Sequence, residues 1–504
     1  MKYIPTIGLE IHARLNTKTK MFCDSKNDPN EAHPNVNVCP VCMGHPGTLP
    51  VPNKEAIRHV IRIGLALDGT IPKYSQFDRK NYFYPDLPKG YQISQYKHPF
   101  VEGGKLFLPL SHKTIRITRV HLEEDAGKLI HDPSTRSGRA ASYVDFNRAG
   151  VPLMEMVTEP DFHSASEVRE FAQEFQRLLR YLDASDADME KGQLRIEANI
   201  SVAKEGLGRS KGATGRTDSQ NESVLGTKVE IKNLNSLRAV EKAIAYEIER
   251  QGEILDKGEK VKQETLGWDE NEQKTFVQRS KEEAHDYRYF PEPDIPSIKP
   301  HESFDIEMLK ADLPELPYQK RERLQKEYNL QGDALAMALD DKAFLAFLEE
   351  TLSELFSWAP DENKEKIKKT ALNYITSDLQ GIVKEKELLW GELLLTPENF
   401  AELVKMLYAG EISSRVAKDV LLEMIEKNGD PSQIVNEKGL RQVSDAGELD
   451  DIIKKIIDQN PATVADVKKG KENATQFLVG QVMKATRGSA NPGIVQEMIK
   501  KTLE

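Results

Sequence analysis

A carboxylate and an imidazole stand two residues apart near the start of the chain, in the segment Ile7-Gly8-Leu9-Glu10-Ile11-His12. Its polar/apolar alternation predicts a β-strand in which Glu10 and His12 project from one face while Leu9 and Ile11 occupy the other. A carboxylate and an imidazole on one face can share a divalent cation. A strand face exposed to solvent is the alternative interpretation of the same residues.

Three adjacent acids, Glu123, Glu124 and Asp125, follow His121 at the end of a β-branched run. Adjacent carboxylates repel one another unless a cation or several donors lie nearby. Hard oxygen ligands of this kind suit Mg²⁺, which bridges nucleotide phosphates. Strand alternation would group Glu123 with His121 and Asp125, so that Glu124 faces the other way. An acidic turn in bulk water is the alternative.

A further alternating segment places Arg195, Glu197 and Asn199 on a common strand face. That face could combine a phosphate-binding guanidinium with a metal-binding acid, although a surface ladder of ion pairs would have the same sequence. The segment 77–92 interleaves basic and aromatic residues with prolines, including Lys80 and Lys89. A rigid loop of this composition suits stacking on nucleobases, and the alternative is a tyrosine-rich loop packed on the core.

The three cysteines of the chain, Cys23, Cys39 and Cys42, all lie near the N-terminus. Cys39 and Cys42 have the spacing of a zinc knuckle, with Cys23 as a third thiolate. Candidates for a fourth ligand are Asp24, His33 and His45, whereas Ser25 is a poor ligand for zinc. Three small buried hydrophobic residues are the alternative interpretation.

The composition describes a globular protein of several domains, with 504 residues, 38% hydrophobic and 30% charged. No apolar run approaches the roughly 20 residues that span a bilayer, and no secretory signal is recognisable, so the expected compartment is the cytoplasm and no membrane role is expected. The net charge of -11 requires any nucleic-acid contact to come from local basic patches. The chain has no P-loop or dinucleotide-binding glycine motif, so use of ATP would need an unconventional phosphate site.

The periodicity predicts an α+β fold in which a sheet with inserted helices occupies residues 1–293. A capping box at Ser164 begins one helix, and a second helix is predicted over about 236–251. Residues 204–227 are predicted to form a hairpin excursion, that is, a long loop between two strands. The Pro-rich segment 291–296 marks the clearest domain boundary, beyond which helical periodicity continues to the end, with a softer boundary near 405.

Several long segments together resemble the B subunit of the aspartyl/glutamyl-tRNA(Asn/Gln) amidotransferase, the GatB/GatE family. The segments that carry the resemblance are 7–12, 77–95, 121–128, 144–153, 229–236, 286–294 and 477–486. The resemblance extends over essentially the whole chain and is weakest at about 297–400. It implies a β-rich, cradle-like catalytic domain over 1–293, an all-α helical domain over 294–405 and an all-α, YqeY-like tRNA-binding tail over 406–504.

The resemblance also implies a division of labour within a heterotrimer. An amidase-type A subunit releases ammonia from glutamine, and a small C subunit holds the pair together. The B subunit takes up misacylated tRNA(Gln) or tRNA(Asn), phosphorylates the acyl carboxylate with ATP and Mg²⁺, and presents it to ammonia. A carboxylate becomes a good electrophile only when its oxygen is made part of a phosphate leaving group. A non-catalytic tRNA-binding scaffold and a zinc-dependent RNA-binding module are the competing hypotheses.

The family's metal cluster maps onto Glu10, His12 and Glu124, with Glu123 as the rival of Glu124. Lys80 and Arg195 are the expected contacts for phosphate or acyl-phosphate oxygens, together with Lys89 and Asn199.

Glu197 would join the metal ligands, but it stands where the family commonly has Asp, which puts its role as a direct ligand in doubt. Ser25 replaces the cysteine that completes the zinc site in some members, and Gln193 replaces a customary serine.

The C-terminal tail concentrates basic charge in an otherwise acidic chain, and we expect it to bind the phosphates of the tRNA elbow. Solvated helix faces are the alternative. The residues concerned are Lys468, Lys469, Lys471, Lys484, Arg487, Lys500 and Lys501.

Overall fold

The computed structural model describes residues 3–132, 141–204, 225–280, 287–441, 446–468, 472–486, 490 and 492–503. Two compact units divide the chain, Met1–Lys320 and Arg321–Glu504. Most of the predicted excursion at 204–227 lies outside the described residues, as do Asp286, Lys469, Lys471 and Arg487. No helix in the described part of the chain is long and apolar enough to cross a membrane.

The first unit is rich in strands, as the sequence predicts. Its strands are β1 (Tyr3–Arg14), β2 (Asp78–Asn81), β3 (Tyr91–Ser94), β4 (Val101–Glu102), β5 (Lys105–Leu108), β6 (Lys113–Glu124), β7 (Lys128–Asp132), β8 (Ala141–Asp145), β9 (Pro152–Thr158), β10 (Leu194–Lys204), β11 (Val229–Leu234), β12 (Glu264–Asp269), β13 (Lys274–Ser280) and β14 (Phe290–Pro291). Nine of them form one sheet in the order β13-β12-β11-β10-β1-β9-β6-β4, with β5 paired to β6. Only the β11–β12 pair of this sheet is parallel.

The helices of the first unit cover the apolar face of this sheet. They are α1 (Lys54–Ala66), α2 (Ala165–Tyr181), α3 (Leu237–Asp256), α4 (Pro300–Ser303) and α5 (Ile306–Ala311), and α6 (Pro317–Tyr328) spans the division between the units. Ile7, Leu9 and Ile11 of β1 are buried in one core with Phe171 of α2 and Ile244 of α3. The period-two pattern of β1 therefore turns Glu10 and His12 to the opposite face, as predicted.

Both predicted helices of this unit are confirmed. Ser164 caps α2 by accepting a hydrogen bond from the Glu167 amide at 3.2 Å. A complete capping box would also have the Glu167 carboxylate accept a hydrogen bond from the Ser164 amide. The Glu167 carboxylate instead accepts one from the His163 amide at 2.7 Å. Ser236 caps α3 in the same way, through the Ala239 amide at 3.0 Å.

The second unit is helical. Its helices are α7 (Gly332–Asp340), α8 (Lys342–Trp358), α9 (Lys364–Asn373), α10 (Gln380–Glu385), α11 (Pro397–Tyr408), α12 (Ser414–Lys427), α13 (Pro431–Glu437), α14 (Ala446–Gln459), α15 (Pro461–Lys468), α16 (Glu472–Ala485) and α17 (Pro492–Leu503), with a π-helical turn at Tyr374–Leu379. The α+β class with a β-rich start and all-α continuation is thus confirmed.

The predicted domain limits differ from the division into compact units. Ile295 and Leu316 pack in the core of the first unit, beyond the predicted limit at 293. One apolar cluster runs from Leu324 to Val435 across the predicted limit at 405, which falls inside α11, and a separate cluster runs from Leu449 to Ile499. The limits at 293 and 405 stay predictions about independently folding domains.

A small sheet of β14, β2 and β3 carries Lys80. It is fastened by Arg79, whose guanidinium donates to the buried Glu292 carboxylate at 2.7 and 2.8 Å and lies 4.3 Å from the centre of the Tyr91 ring. A bidentate pair of this kind fixes both partners in one orientation. The strand that holds Lys80 is therefore anchored at the adjacent residue.

Replacing Arg79 should destabilise the first unit, because Glu292 would remain as a buried, unpaired carboxylate. We expect Arg79→Ala to cost about 3–5 kcal/mol in the free energy of unfolding measured with urea. The matched control is Arg116→Ala, which breaks an equally bidentate pair with Asp161 in which the arginine is 68% exposed. That variant should lose about 1 kcal/mol or less. Equal losses in the two variants would contradict the assigned role.

Candidate active site

The polar face of the large sheet collects five of the predicted site residues. Glu10 of β1 lies opposite Glu197 of β10, and His12 lies opposite Arg195. Register partners on neighbouring strands share a face, and Asn199 follows Glu197 on that face. Two strands that are distant in sequence thus bring together the residues predicted to bind metal and phosphate.

One cluster of donors forms around His12. The His12 Nε2 atom lies 3.2 Å from Glu155 Oε2 and 3.6 Å from Glu123 Oε1, and one ligand atom from each of the three residues lies within 4.8 Å of the others. Burial lowers the pKa of His12, but the hydrogen bond and charge of Glu155 outweigh it and raise this pKa to about 9. Burial raises the pKa of the Glu123 carboxyl.

A second cluster lies farther along the same face. Carboxylate oxygens of Glu10, Glu197 and Glu230 lie within 4.8 Å of one another. Burial, together with the charges of Glu155 and Glu197, raises the pKa of Glu10. The Asn199 amide donates to Glu10 Oε1 at 3.0 Å, while its buried Oδ1 atom has no hydrogen-bond partner among the described residues. A buried, unpaired oxygen beside three carboxylates is a feature that a bound cation would explain.

Lys80 approaches the His12 cluster from the small sheet. Its Nζ atom lies 3.9 Å from Glu123 Oε2 and 5.2 Å from the centre of the Tyr287 ring. Burial lowers the pKa of Lys80, but the Glu123 charge outweighs it and holds the pKa well above the usual range. The side chain is therefore an ammonium that makes no short hydrogen bond to this carboxylate.

Three guanidinium groups surround the buried Asp125. Arg14 Nε lies 2.9 Å from its carboxylate, and Arg148 Nε and Arg195 Nη2 each lie 3.7 Å away. Burial raises the pKa of Asp125, but the charges of Arg148, Arg195 and Arg14 outweigh it, so the net effect is to lower this pKa. Three positive charges around one negative charge leave this end of the face attractive to an anion.

Glu124 is not brought together with Glu10 and His12. Its carboxylate accepts from the Ile93 amide at 2.9 Å and from Lys89 Nζ at 2.8 Å. It also lines a cavity of about 110 Å³ that is shared with Cys42. Adjacent residues of a strand face opposite ways, so β6 gives Glu123, the rival candidate, to the His12 cluster.

Two members of the clusters were not predicted from the sequence. Glu155 stands alone in the apolar strand β9, and Glu230 alternates with buried Val229 and Ile231. A single acid inside an apolar strand is a detectable signal, but its partners depend on the strand order. No local sequence pattern indicates that Arg14 and Arg148 belong to the site.

The three cysteines form a cluster, as predicted, with sulfur atoms within 4.8 Å of one another. Within the described ranges no histidine or carboxylate joins this group. Polar atoms near Cys42 Sγ include the Cys39 amide at 3.1 Å, the Cys39 carbonyl oxygen at 3.4 Å, Ser25 Oγ at 3.9 Å and the Nζ atom of the fully buried Lys20 at 3.9 Å. Of the predicted alternatives for a fourth ligand, His33 pairs instead with Glu31 at 3.0 Å.

The donor sets of these clusters suit different metals. Carboxylate oxygens, an imidazole and an unpaired amide oxygen on the sheet face fit Mg²⁺. Three thiols fit zinc incompletely, because a structural zinc site has four protein ligands.

Comparison with known proteins adds independent information. Residues 5–305 match the model of the GatB/GatE catalytic domain, and residues 355–503 match that of the GatB domain. The B subunit of the aspartyl/glutamyl-tRNA(Asn/Gln) amidotransferase from Persephonella marina is 46% identical over 506 residues, covering 100% of both chains. Those of Thermotoga petrophila and Gloeothece citriformis are 45% and 44% identical, covering 100% of this chain and 100% and 98% of their own. The chain therefore belongs to the B-subunit family of the aspartyl/glutamyl-tRNA(Asn/Gln) amidotransferases, and its first unit contains the family's catalytic domain.

Proposed function

We propose that this chain activates the side-chain carboxylate of a glutamate or aspartate esterified to tRNA(Gln) or tRNA(Asn), using ATP, so that ammonia can convert it to the amide. The observation that carries the proposal is one sheet face that holds two clusters of cation ligands, with Lys80 beside one of them and with three arginines around Asp125. Phosphoryl transfer requires both a divalent cation and fixed positive charge where negative charge develops. This face offers both within one site.

In the proposed reaction a carboxylate oxygen of the aminoacyl group attacks the γ-phosphorus of ATP, and ADP leaves. Ammonia then attacks the acyl carbon, and inorganic phosphate leaves with the oxygen. Lys80 and Arg195 neutralise the phosphoryl oxygens, with Asn199 as a further predicted contact. Lys89, which was also predicted to contact phosphate, pairs with Glu124 instead. His12, Glu123 and Glu155, and in the second cluster Glu10, Glu197 and Glu230, would hold Mg²⁺, which supplies charge neutralisation and orientation when bound.

The proposal includes partners and a compartment. An amidase-type A subunit would supply ammonia and a small C subunit would complete a heterotrimer, as the resemblance implies. Both are proposals that co-purification with an amidase-like chain would support. The cytoplasm, where tRNA is aminoacylated, is the compartment that such a substrate requires.

The carboxylates of Glu123 and Glu124 provide a matched test of the site, because both are 2% exposed and glutamine is isosteric with each. In the assembled enzyme, ATP hydrolysis that depends on misacylated tRNA should fall by about 10²–10³-fold in Glu10→Ala and Glu123→Gln. Glu124→Gln should lose less, since Glu124 faces Lys89 rather than His12. Binding of tRNA, measured by filter retention, should persist in all three.

Two outcomes would contradict this proposal. Undiminished ATP turnover in Glu10→Ala and Glu123→Gln would favour the non-catalytic scaffold. A loss confined to Glu124→Gln would return that residue to the cation site and remove Glu123 from it.

The basic tail is proposed to bind tRNA phosphates. Lys484 of α16 and Lys500 and Lys501 of α17 are exposed. Replacing Lys484 and Lys500 by Gln should reduce the slope of log affinity for tRNA against log salt by about 0.7–0.9 for each phosphate that the variant no longer neutralises. The control exchanges Lys105 and Lys299 of the first unit, each 60% exposed. An unchanged slope in the tail variant would reject this role of the tail.

Zinc is proposed to bind weakly, because three thiolates leave a fourth position without a strong ligand. Ser25 Oγ lies 3.9 Å from Cys42 Sγ, close to the distance of about 3.8 Å that separates two sulfurs in a tetrahedral zinc site with the usual bond lengths. Ser25→Cys should therefore retain one zinc per chain after dialysis against a chelator, while the unaltered chain retains less. Ser166→Cys, at the start of α2, is the control for an added thiol. Full retention by the unaltered chain would disprove weak binding.

A further inference from the structure

Lys232 is a charged residue of the active-site face that none of the preceding roles uses. It lies on β11, and its Nζ atom is 2.9 Å from Glu197 Oε2 and 3.4 Å from Glu230 Oε1. Both carboxylates belong to the cluster with Glu10. The ammonium therefore contacts two of the three acids of one proposed cation site.

The charges of this cluster explain why a lysine is there. Three carboxylates with oxygens within 4.8 Å of one another repel strongly unless positive charge is supplied. Lys232 lies within ion-pair distance of Glu197 and Glu230, and the neutral amide of Asn199 donates a hydrogen bond to Glu10. Burial lowers the pKa of Lys232, but Glu197 and Glu230 outweigh it and hold the pKa above its usual range, so the side chain is charged.

A divalent cation and this ammonium compete for the same two carboxylates. The hydrogen bond at 2.9 Å occupies Glu197 Oε2, and Mg²⁺ would need a carboxylate oxygen at about 2.0–2.1 Å. A protonated lysine is no ligand, and its charge repels the incoming cation. Lys232 therefore opposes cation binding at this cluster for as long as it stays paired with Glu197 and Glu230.

We propose that Lys232 is an exchangeable counter-ion, which neutralises Glu197 and Glu230 in the cation-free protein and is displaced when a divalent cation binds among Glu10, Glu197 and Glu230. This inference rests on the proposed function, which places a cation on this sheet face. Lys232 then weakens cation binding in the protein that has not yet bound substrate. Once released, the ammonium stays on the same face, where it can approach a phosphoryl oxygen.

The two clusters then differ in how readily they accept a cation. Lys80 lies 3.9 Å from Glu123 and makes no short hydrogen bond to it, whereas Lys232 is hydrogen-bonded to Glu197 at 2.9 Å. Lys80 therefore leaves Glu123 without a short ion pair to a lysine, whereas Lys232 holds Glu197 in one. The Glu10 cluster is accordingly the one whose occupancy Lys232 controls.

The experiment is a titration of the purified full-length protein with Mn²⁺ in the absence of ATP, followed by calorimetry and by the electron paramagnetic resonance of free Mn²⁺. Lys232→Met should bind Mn²⁺ at least about tenfold more tightly, because the competing charge is removed. Lys232→Arg, which keeps the charge, should stay close to the unaltered protein. Lys113→Met is the control, because it breaks a pair with Glu167 of the same 2.9 Å length outside the clusters.

A double variant locates the effect. In Glu197→Gln the further change Lys232→Met should bring much less gain, since the carboxylate that the lysine releases is already neutral. If Lys232→Met does not fold, Lys232→Gln removes the charge while keeping a donor toward Glu197. Equal or weaker Mn²⁺ binding in the uncharged variants would overturn the inference alone. Absence of Mn²⁺ binding in every variant, including the unaltered protein, would overturn it together with the cation of the proposed function.

Discussion

The active-site face depends on the burial of like charges in one sheet. Glu10, Glu123, Glu155 and Glu197 occupy neighbouring positions on adjacent strands whose other face is packed against helices. These carboxylates cannot move apart without breaking the strand pairing, and burial makes their mutual repulsion costly. Positive charge must therefore be supplied to them, and His12, Lys80 and Lys232 lie within ion-pair distance of these carboxylates.

Several basic side chains of this face come from elements other than β1 and β10, which themselves carry Arg14 and Arg195. Lys80 comes from a separate small sheet, which Arg79 fastens to the buried Glu292. Arg148 follows β8, and Lys232 lies on β11. Because each cation is tied to a different element, a ligand can replace the partner of one cation while the rest of the face stays paired. This independence would suit the proposed reaction, in which phosphate is bound and released at each turnover.

The sequence predicts the features that depend on local pattern and misses those that depend on non-local packing. The alternation of β1 and β10 predicts their common polar face, and alternation in β6 favours Glu123, whereas only the resemblance favoured Glu124. Glu155 could not be placed, because its partners depend on β9 lying between β1 and β6. The predicted boundary at 405 does not coincide with a gap in the core, since Phe400 and Val416, on either side of it, are buried in one cluster. Turn-forming residues in a sequence indicate a local change in backbone direction. The limit of a domain depends instead on which apolar surfaces pack together.

The absence of a P-loop motif now has a physical consequence. A glycine-rich loop binds phosphate through fixed backbone amides, which carry no net charge and need no counter-ion. A site that binds phosphate through lysine and arginine side chains must neutralise them in the free protein, and on this face carboxylates pair with Lys80, Lys232 and Arg14. The acids and the bases are partly segregated, with three guanidiniums around Asp125 and three carboxylates in the cluster of Glu10, Glu197 and Glu230. A ligand that carries both a divalent cation and phosphoryl oxygens can therefore exchange with both kinds of internal ion pair at once, which offsets much of the cost of breaking them.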